Sequence, residues 1–242
     1  MSGNVLLRLS GVHTHIGPYH ILQGVDLTVP EGGVTVLLGR NGAGKTTTLR
    51  TIMGLWTASR GEIHFNDHDI TRLATPEIAR RGIAFVPEDM GIFTDLTVAE
   101  NMVLAAAHGP IDQKRLAWIR ELFPPIGTFW NSSAGTLSGG QKQMLSVARA
   151  IIEPRRLILI DEPTKGLAPA IIKAMTDALK ELKETDTTIL LVEQNFAMAS
   201  AVGDTVAVMD DGRIIHSGSM QALTDDAALQ EKLMGLSLEA HQ

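Results

Sequence analysis

The chain has 242 residues, of which 44% are hydrophobic and 20% charged, with a net charge of −6. That length and apolar content suit one large domain with a substantial core and exclude a disordered chain, while the acidic balance argues against bulk nucleic acid as the main ligand. There is no cysteine, which excludes disulfides and thiolate metal sites.

At the start, Met1 to Arg8 lacks a basic stretch followed by a long apolar one, so no signal peptide is expected. Along the chain no apolar run approaches the roughly 18 residues that span a bilayer. A membrane role would therefore require another chain to supply the channel. The segments Val5 to Leu9 and Val25 to Val29 read as strands, and Glu31-Gly32-Gly33 as a turn. Val34 to Leu38 is a continuous apolar run ending at Gly39, the pattern of a buried strand, and Thr46 to Leu55 reads as the helix after it. A hairpin is expected over Glu62 to Ile70, around Asn66-Asp67. Residues 94–150 read mostly as helix, broken at Gly109-Pro110, at Pro124-Pro125 and in a loop from Asn131 to Gly135. Leu157 to Ile160 and Thr188 to Val192 are further buried strands. Between them Ile171 to Lys183 has helical spacing, with Ile172, Met175, Leu179 and Leu182 on one face. Val206 to Met209, Asp210-Asp211-Gly212 and Arg213 to His216 read as a late hairpin, and Leu223 to Met234 as a closing helix. Buried strands alternating with helices predict an α/β fold with a mostly parallel sheet. The strand-rich start and helix-rich middle predict two appendages on it.

Three short segments carry chemistry. Gly39-Arg40-Asn41-Gly42-Ala43-Gly44-Lys45-Thr46 fits G-x-x-x-x-G-K-[ST], placed between a buried strand and a helix. Glycines let the backbone wrap a phosphate, the helix adds its positive end, Lys45 would reach the β- and γ-phosphates, and Thr46 would ligate Mg²⁺. Leu157-Ile158-Leu159-Ile160-Asp161-Glu162 is an apolar strand ending in adjacent carboxylates. Asp161 could hold Mg²⁺ through water while Glu162 orients an attacking water. Alone, Asp-Glu-Pro also fits a solvated turn. Leu137-Ser138-Gly139-Gly140-Gln141 precedes a helical stretch, with Ser138 as a capping residue. A capped helix start with glycines also binds anions.

The three motifs, in this order, resemble the ATPases of the ABC family, over roughly Leu6 to Leu236. The resemblance implies a P-loop NTPase core, an N-terminal antiparallel β subdomain and a helical subdomain at about 90–150, all within a single domain spanning 1–242. It implies ATP and Mg²⁺ as cofactors, ATP held by Gly39 to Thr47, and two subunits facing head to tail. In that arrangement Leu137 to Gln141 of one chain would close on the ATP of the other. Further segments resemble the smaller ATPase subunit of branched-chain amino acid importers: Ile83 to Glu88, Leu96 to Asn101, Gly166 to Pro169 and Leu191 to Asn195.

Four positions depart from the general family pattern. Glu88 stands where a glutamine usually serves Mg²⁺, and Gln194 where a histidine usually touches the γ-phosphate. Pro169 replaces a common aspartate. The position that usually stacks on adenine falls at Ile16, with His15 and Tyr19 beside it as alternatives. The first three departures resemble the importer branch.

As implications of this resemblance, the chain would be a peripheral protein on the cytoplasmic face of the inner membrane. Its partners would be membrane-spanning permease subunits, a second ATPase subunit (the same or different), and a solute-binding protein in the same system. No nucleic acid partner is expected, and coupling to the membrane would run through Glu88 to Leu104. The transported solute could also be urea, a short amide or another amino acid. A non-transport ABC ATPase acting on nucleic acid or ribosomes, and a non-catalytic nucleotide-binding regulator, are the rival readings. His64, Asp67, His68 and Asp69 are read as a turn, His13 and His15 as a surface pair, and Arg80-Arg81 as a solvated helix end.

Overall fold

The computed structural model describes residues 4–234; the readings at Met1 to Gly3 and at Leu236 lie outside that range. In chain order the elements are β1 (Val5–Ile16), β2 (Tyr19–Pro30), β3 (Val34–Gly39), α1 (Lys45–Ile52), β4 (Ala58–Phe65), β5 (His68–Asp69), α2 (Thr75–Arg80) and β6 (Ile83–Val86). There follow α3 (Val98–Ala105), α4 (Gln113–Leu122), α5 (Pro124–Thr128), a 3₁₀ turn (Ala134–Thr136) and α6 (Gly139–Ala150). The last part holds β7 (Leu157–Asp161), α7 (Pro169–Lys183), β8 (Thr188–Val192), α8 (Phe196–Val202), β9 (Thr205–Asp210), β10 (Arg213–Ser219), α9 (Met220–Asp225) and α10 (Ala227–Met234).

The strands form two sheets. A six-stranded sheet has the order β10-β9-β3-β8-β7-β6, parallel throughout except for the β9–β10 hairpin. An antiparallel sheet has the order β2-β1-β4-β5. Alternation along the central strands divides the core in two. Ile158 and Ile160 of β7 pack with α6 and α7, whereas Leu157 and Leu159 pack with α1 and the antiparallel sheet. Asp161 continues the second set, so the strand carries its carboxylate to the face on which α1 lies.

Several local expectations shift. The first two strands run to Ile16 and from Tyr19, much longer than their apolar cores, because pairing with each other holds the polar stretches His13 to His20 in register. Pro124-Pro125 opens α5 instead of interrupting a helix, since a helix's first turn has no intrahelical use for the missing N–H groups. β6 and α8, unpredicted, complete the sheet edge and its cover. The Asn66-Asp67 turn has both residues left-handed (φ 49° and 60°), and His68 Nδ1 lies 2.6 Å from the Asn66 carbonyl oxygen. His13 and His15 are more than a surface pair: both stack on His20, with ring centroids 5.1 and 4.3 Å away. Among the described residues no group of three His, Cys, Asp or Glu is placed to hold a metal ion.

Candidate functional site

Parallel strands β3, β7 and β8 all end at one edge of the sheet, and an α/β sheet offers ligands a crevice at its carboxyl edge. β3 delivers Gly39 there with φ 153°; a Cβ on it would lie 2.3 Å from the Met209 carbonyl oxygen, so the position admits only glycine. The loop over 40–44 then turns into α1 through Gly44, left-handed at φ 106° and without a side-chain cap. The first amides of α1 are thus left for a ligand.

Lys45 is 4% exposed and folds back on its own loop. Its ammonium donates to the carbonyls of Gly39 (2.8 Å) and Arg40 (3.1 Å) and lies 3.5 Å from Glu162 Oε1. The next residue on the helix, Thr46, donates its hydroxyl to Asp161 Oδ1 at 3.1 Å. Asp161 is fully buried, and its Oδ2 has no partner among the described residues. Burial pushes its carboxyl up to about 6, with the charges of Glu162 and Glu88 adding to the rise and the Thr46 hydrogen bond opposing it.

Glu162 follows with φ 46°, a left-handed backbone that breaks the strand's alternation and turns its side chain toward the loop. Gln194, past the end of β8, donates from Nε2 to Glu162 Oε1 at 2.6 Å and to Asn41 Oδ1 at 2.7 Å. Glu162 Oε2 faces Lys165 at 3.5 Å, and Lys165 pairs with Glu88 at 2.5 Å. A cavity of about 300 Å³ opens between these groups, lined by Asn41, Gly42, Gly44 to Thr47, Glu88, Glu162, Lys165 and Ile21.

The structure therefore brings together the loop from Gly39 to Thr47, the acidic pair, Glu88 and Gln194. It leaves two sets apart. Ile16 closes the β1–β2 hairpin opposite Tyr19 and does not line this cavity, which ends instead against Ile21 of β2. Leu137 to Gln141 also lies outside it. There Ser138 caps α6, accepting from Gln141 N at 3.3 Å while Gln141 Oε1 accepts from Ser138 N at 2.9 Å. Ser138 and Gly139 are exposed, and Gly140 is buried against Ile171.

Two residues that sequence reasoning passed over belong to the site. Glu193 is buried and accepts from Thr164 N and Oγ1 (3.1 and 2.6 Å), Gln194 N (2.9 Å) and Asn195 N (3.0 Å). It ties the loop after Glu162 to the loop that carries Gln194. Lys165 is the other, and its only sequence signal is its place three residues after Glu162. A larger cavity, about 810 Å³ around Arg115 and Trp118, lies elsewhere; volume alone does not mark the chemistry.

Comparison with known proteins follows the same lines. The family described as ABC transporter matches residues 22–165. The high-affinity branched-chain amino acid transport ATP-binding protein BraG of Pseudomonas aeruginosa is 34% identical over 232 residues, 95% of this chain and 100% of that protein. A probable branched-chain amino acid transport ATP-binding protein, LivF, of Archaeoglobus fulgidus is 33% identical over 236 residues, covering 96% of this chain and 99% of its own. Among solved structures, the dimeric post-hydrolysis state of an ATP-binding cassette bound to ADP and Pi superposes with a TM-score of 0.79 at 25% identity, covering 89% of this chain and 99% of that one.

Proposed function

The chain belongs to the ABC transporter family, and from that premise we propose that it is the ATP-hydrolysing subunit that energises an importer, with branched-chain amino acids as the solute class. The observation that carries the reading is the convergence of Lys45 and Gln194 on the single oxygen Oε1 of Glu162, beside the uncapped start of α1. A lysine for phosphate, a carboxylate for water and an amide that joins this carboxylate to Asn41 of the phosphate loop stand in one crevice.

On this reading the loop amides and Lys45 bind the β- and γ-phosphates, Lys45 exchanging its carbonyl partners for phosphate oxygens. Glu162, released from Lys45, orients a water and accepts its proton as the water attacks the γ-phosphorus and the bond to the β-phosphate oxygen breaks. Gln194 holds Glu162 in place and, giving up Asn41, turns its second N–H toward the γ-phosphate. The products are ADP and inorganic phosphate. A magnesium ion fits the donor set: Thr46 and Asp161 offer hard oxygens, and Asp161 Oδ2 is buried without a partner among the described residues. Thr46, Asp161 and Glu88 would hold it. When bound it supplies charge neutralisation to the triphosphate.

The described residues work as one ATPase domain, with the helical part at about 90–150 inserted between β6 and β7. Ser138 and Gly139, exposed at the start of α6, complete the nucleotide site of a second ATPase subunit in a two-fold, head-to-tail pair. Permease subunits dock on the stretch from Glu88 to Leu104, where Phe93, Val103 and Leu104 expose apolar side chains. Among the described residues no helix is long and apolar enough to cross a membrane. The chain sits peripherally on the cytoplasmic face, and a solute-binding protein delivers the cargo.

The test is direct. Purified chain should bind and hydrolyse Mg-ATP, and a co-purifying binding protein should take leucine, isoleucine or valine. Absence of Mg-ATP binding sinks the ATPase reading; binding of another solute class corrects only the cargo.

A further inference from the structure

Lys165 reaches across the mouth of the cavity to two carboxylates from two loops. Its Nζ lies 2.5 Å from Glu88 Oε1, just past β6, and 3.5 Å from Glu162 Oε2, just past β7. Glu88, Asp161 and Glu162 put three acidic side chains around this crevice, and the lining supplies two lysines, Lys45 and Lys165. Lys45 is committed to the loop carbonyls and Glu162. Among the described residues, Lys165 is the cation that pairs with Glu88. Without Lys165, Glu88 would add a negative charge beside the phosphates for a bound magnesium ion to offset alone.

We propose that Lys165 is a positioning residue for the nucleotide: it cancels the charge of Glu88 next to the phosphates and links the Glu88 loop to Glu162. The inference rests on the nucleotide reading above. It makes the importance of Lys165 conditional on the acid at 88. A plain surface ion pair would not act this way, because its loss leaves ligand affinity unchanged.

A double-mutant cycle reads this conditional effect. Wild type, Lys165→Ala, Glu88→Gln and the double variant are titrated with a fluorescent ATP analogue and magnesium, and each is melted without nucleotide to check folding. Lys165→Ala should weaken binding about three- to tenfold when Glu88 is present, and by less than about twofold when residue 88 is glutamine. Lys165→Arg, which keeps the charge, should bind within about twofold of wild type. Equal losses in both backgrounds, or no loss with Glu88 present, overturn the proposal. In that case wild-type protein that binds Mg-ATP keeps the ATPase reading intact; wild-type protein that does not bind removes both.

Discussion

Gln194 and Glu162 are joined side chain to side chain, the glutamine amide nitrogen 2.6 Å from the carboxylate Oε1 and 2.7 Å from Asn41 Oδ1. One amide thus connects the end of β8, the end of β7 and the loop before α1. A neutral donor suffices for this, because the charge it steadies is already on the carboxylate.

Replacing that amide tests the connection. Gln194→Ala removes a hydrogen bond to a charged group, on the order of 1.5–3 kcal/mol. Turnover of Mg-ATP should fall by about ten- to a hundredfold, with a smaller change in Mg-ATP affinity and a drop of several degrees in melting temperature. Phosphate release beside a binding titration separates the two effects.

Glu162→Gln keeps the shape and removes the base. Loss of proton transfer should reduce hydrolysis by about a hundredfold or more. The variant should still bind ATP and accumulate as a dimer, visible by size-exclusion chromatography with Mg-ATP present. A variant that hydrolyses at the wild-type rate removes Glu162 from the role.

Asp161 gives a pH dependence with a definite sign. Its carboxyl titrates near 3.8 in an ordinary setting and at about 6 in the folded protein. Between those values the unfolded chain binds fewer protons than the folded one, so stability falls as pH rises from about 4 to 6. That difference corresponds to roughly 3 kcal/mol lost above pH 6. Without nucleotide and magnesium, Asp161→Asn should therefore melt several degrees above wild type at pH 7.5. The difference should close toward pH 4. A difference independent of pH rejects this origin.

Gly39 leaves no space for a side chain, a Cβ there standing 2.3 Å from the Met209 carbonyl oxygen. Gly39→Ala must push β3 and β9 apart at the phosphate loop. Overpacking of this kind costs about 1–3 kcal/mol, a drop of about 2–12 °C in melting temperature for a chain of this size. Mg-ATP affinity should fall with it, measured by calorimetric titration at a temperature where the variant is folded.

A complementation experiment addresses the composite site of the isolated chain paired with itself. Lys45→Ala and Ser138→Arg should each be inactive alone. Mixed, they should regain turnover, because one crevice of the mixed pair then has an intact Lys45 and an intact Ser138. Failure to recover activity, with both variants folded, excludes a site shared between subunits.

The site was legible in part. Its chemistry is local: a glycine loop between a buried strand and a helix, and two carboxylates at a strand end, are short patterns whose function follows from adjacent residues. Alternation along Leu157 to Asp161 even decides which face the aspartate takes. Glu193 and Lys165 escaped notice because what gives them meaning comes from distant segments: Glu193 bonds Thr164, and Lys165 bonds Glu88.

By itself the sequence determined the alternation of buried strands and helices, and with it the parallel core and the composition of the phosphate loop. Only the tertiary structure decided that β8 lies between β3 and β7, so that Gln194 meets both Glu162 and Asn41. It also kept Ile16 off the cavity and extended β1 and β2 beyond their apolar cores. The reason is physical: a strand's hydrophobic pattern depends on which faces are covered, whereas its neighbours and its length are settled by hydrogen bonds to other strands far along the chain.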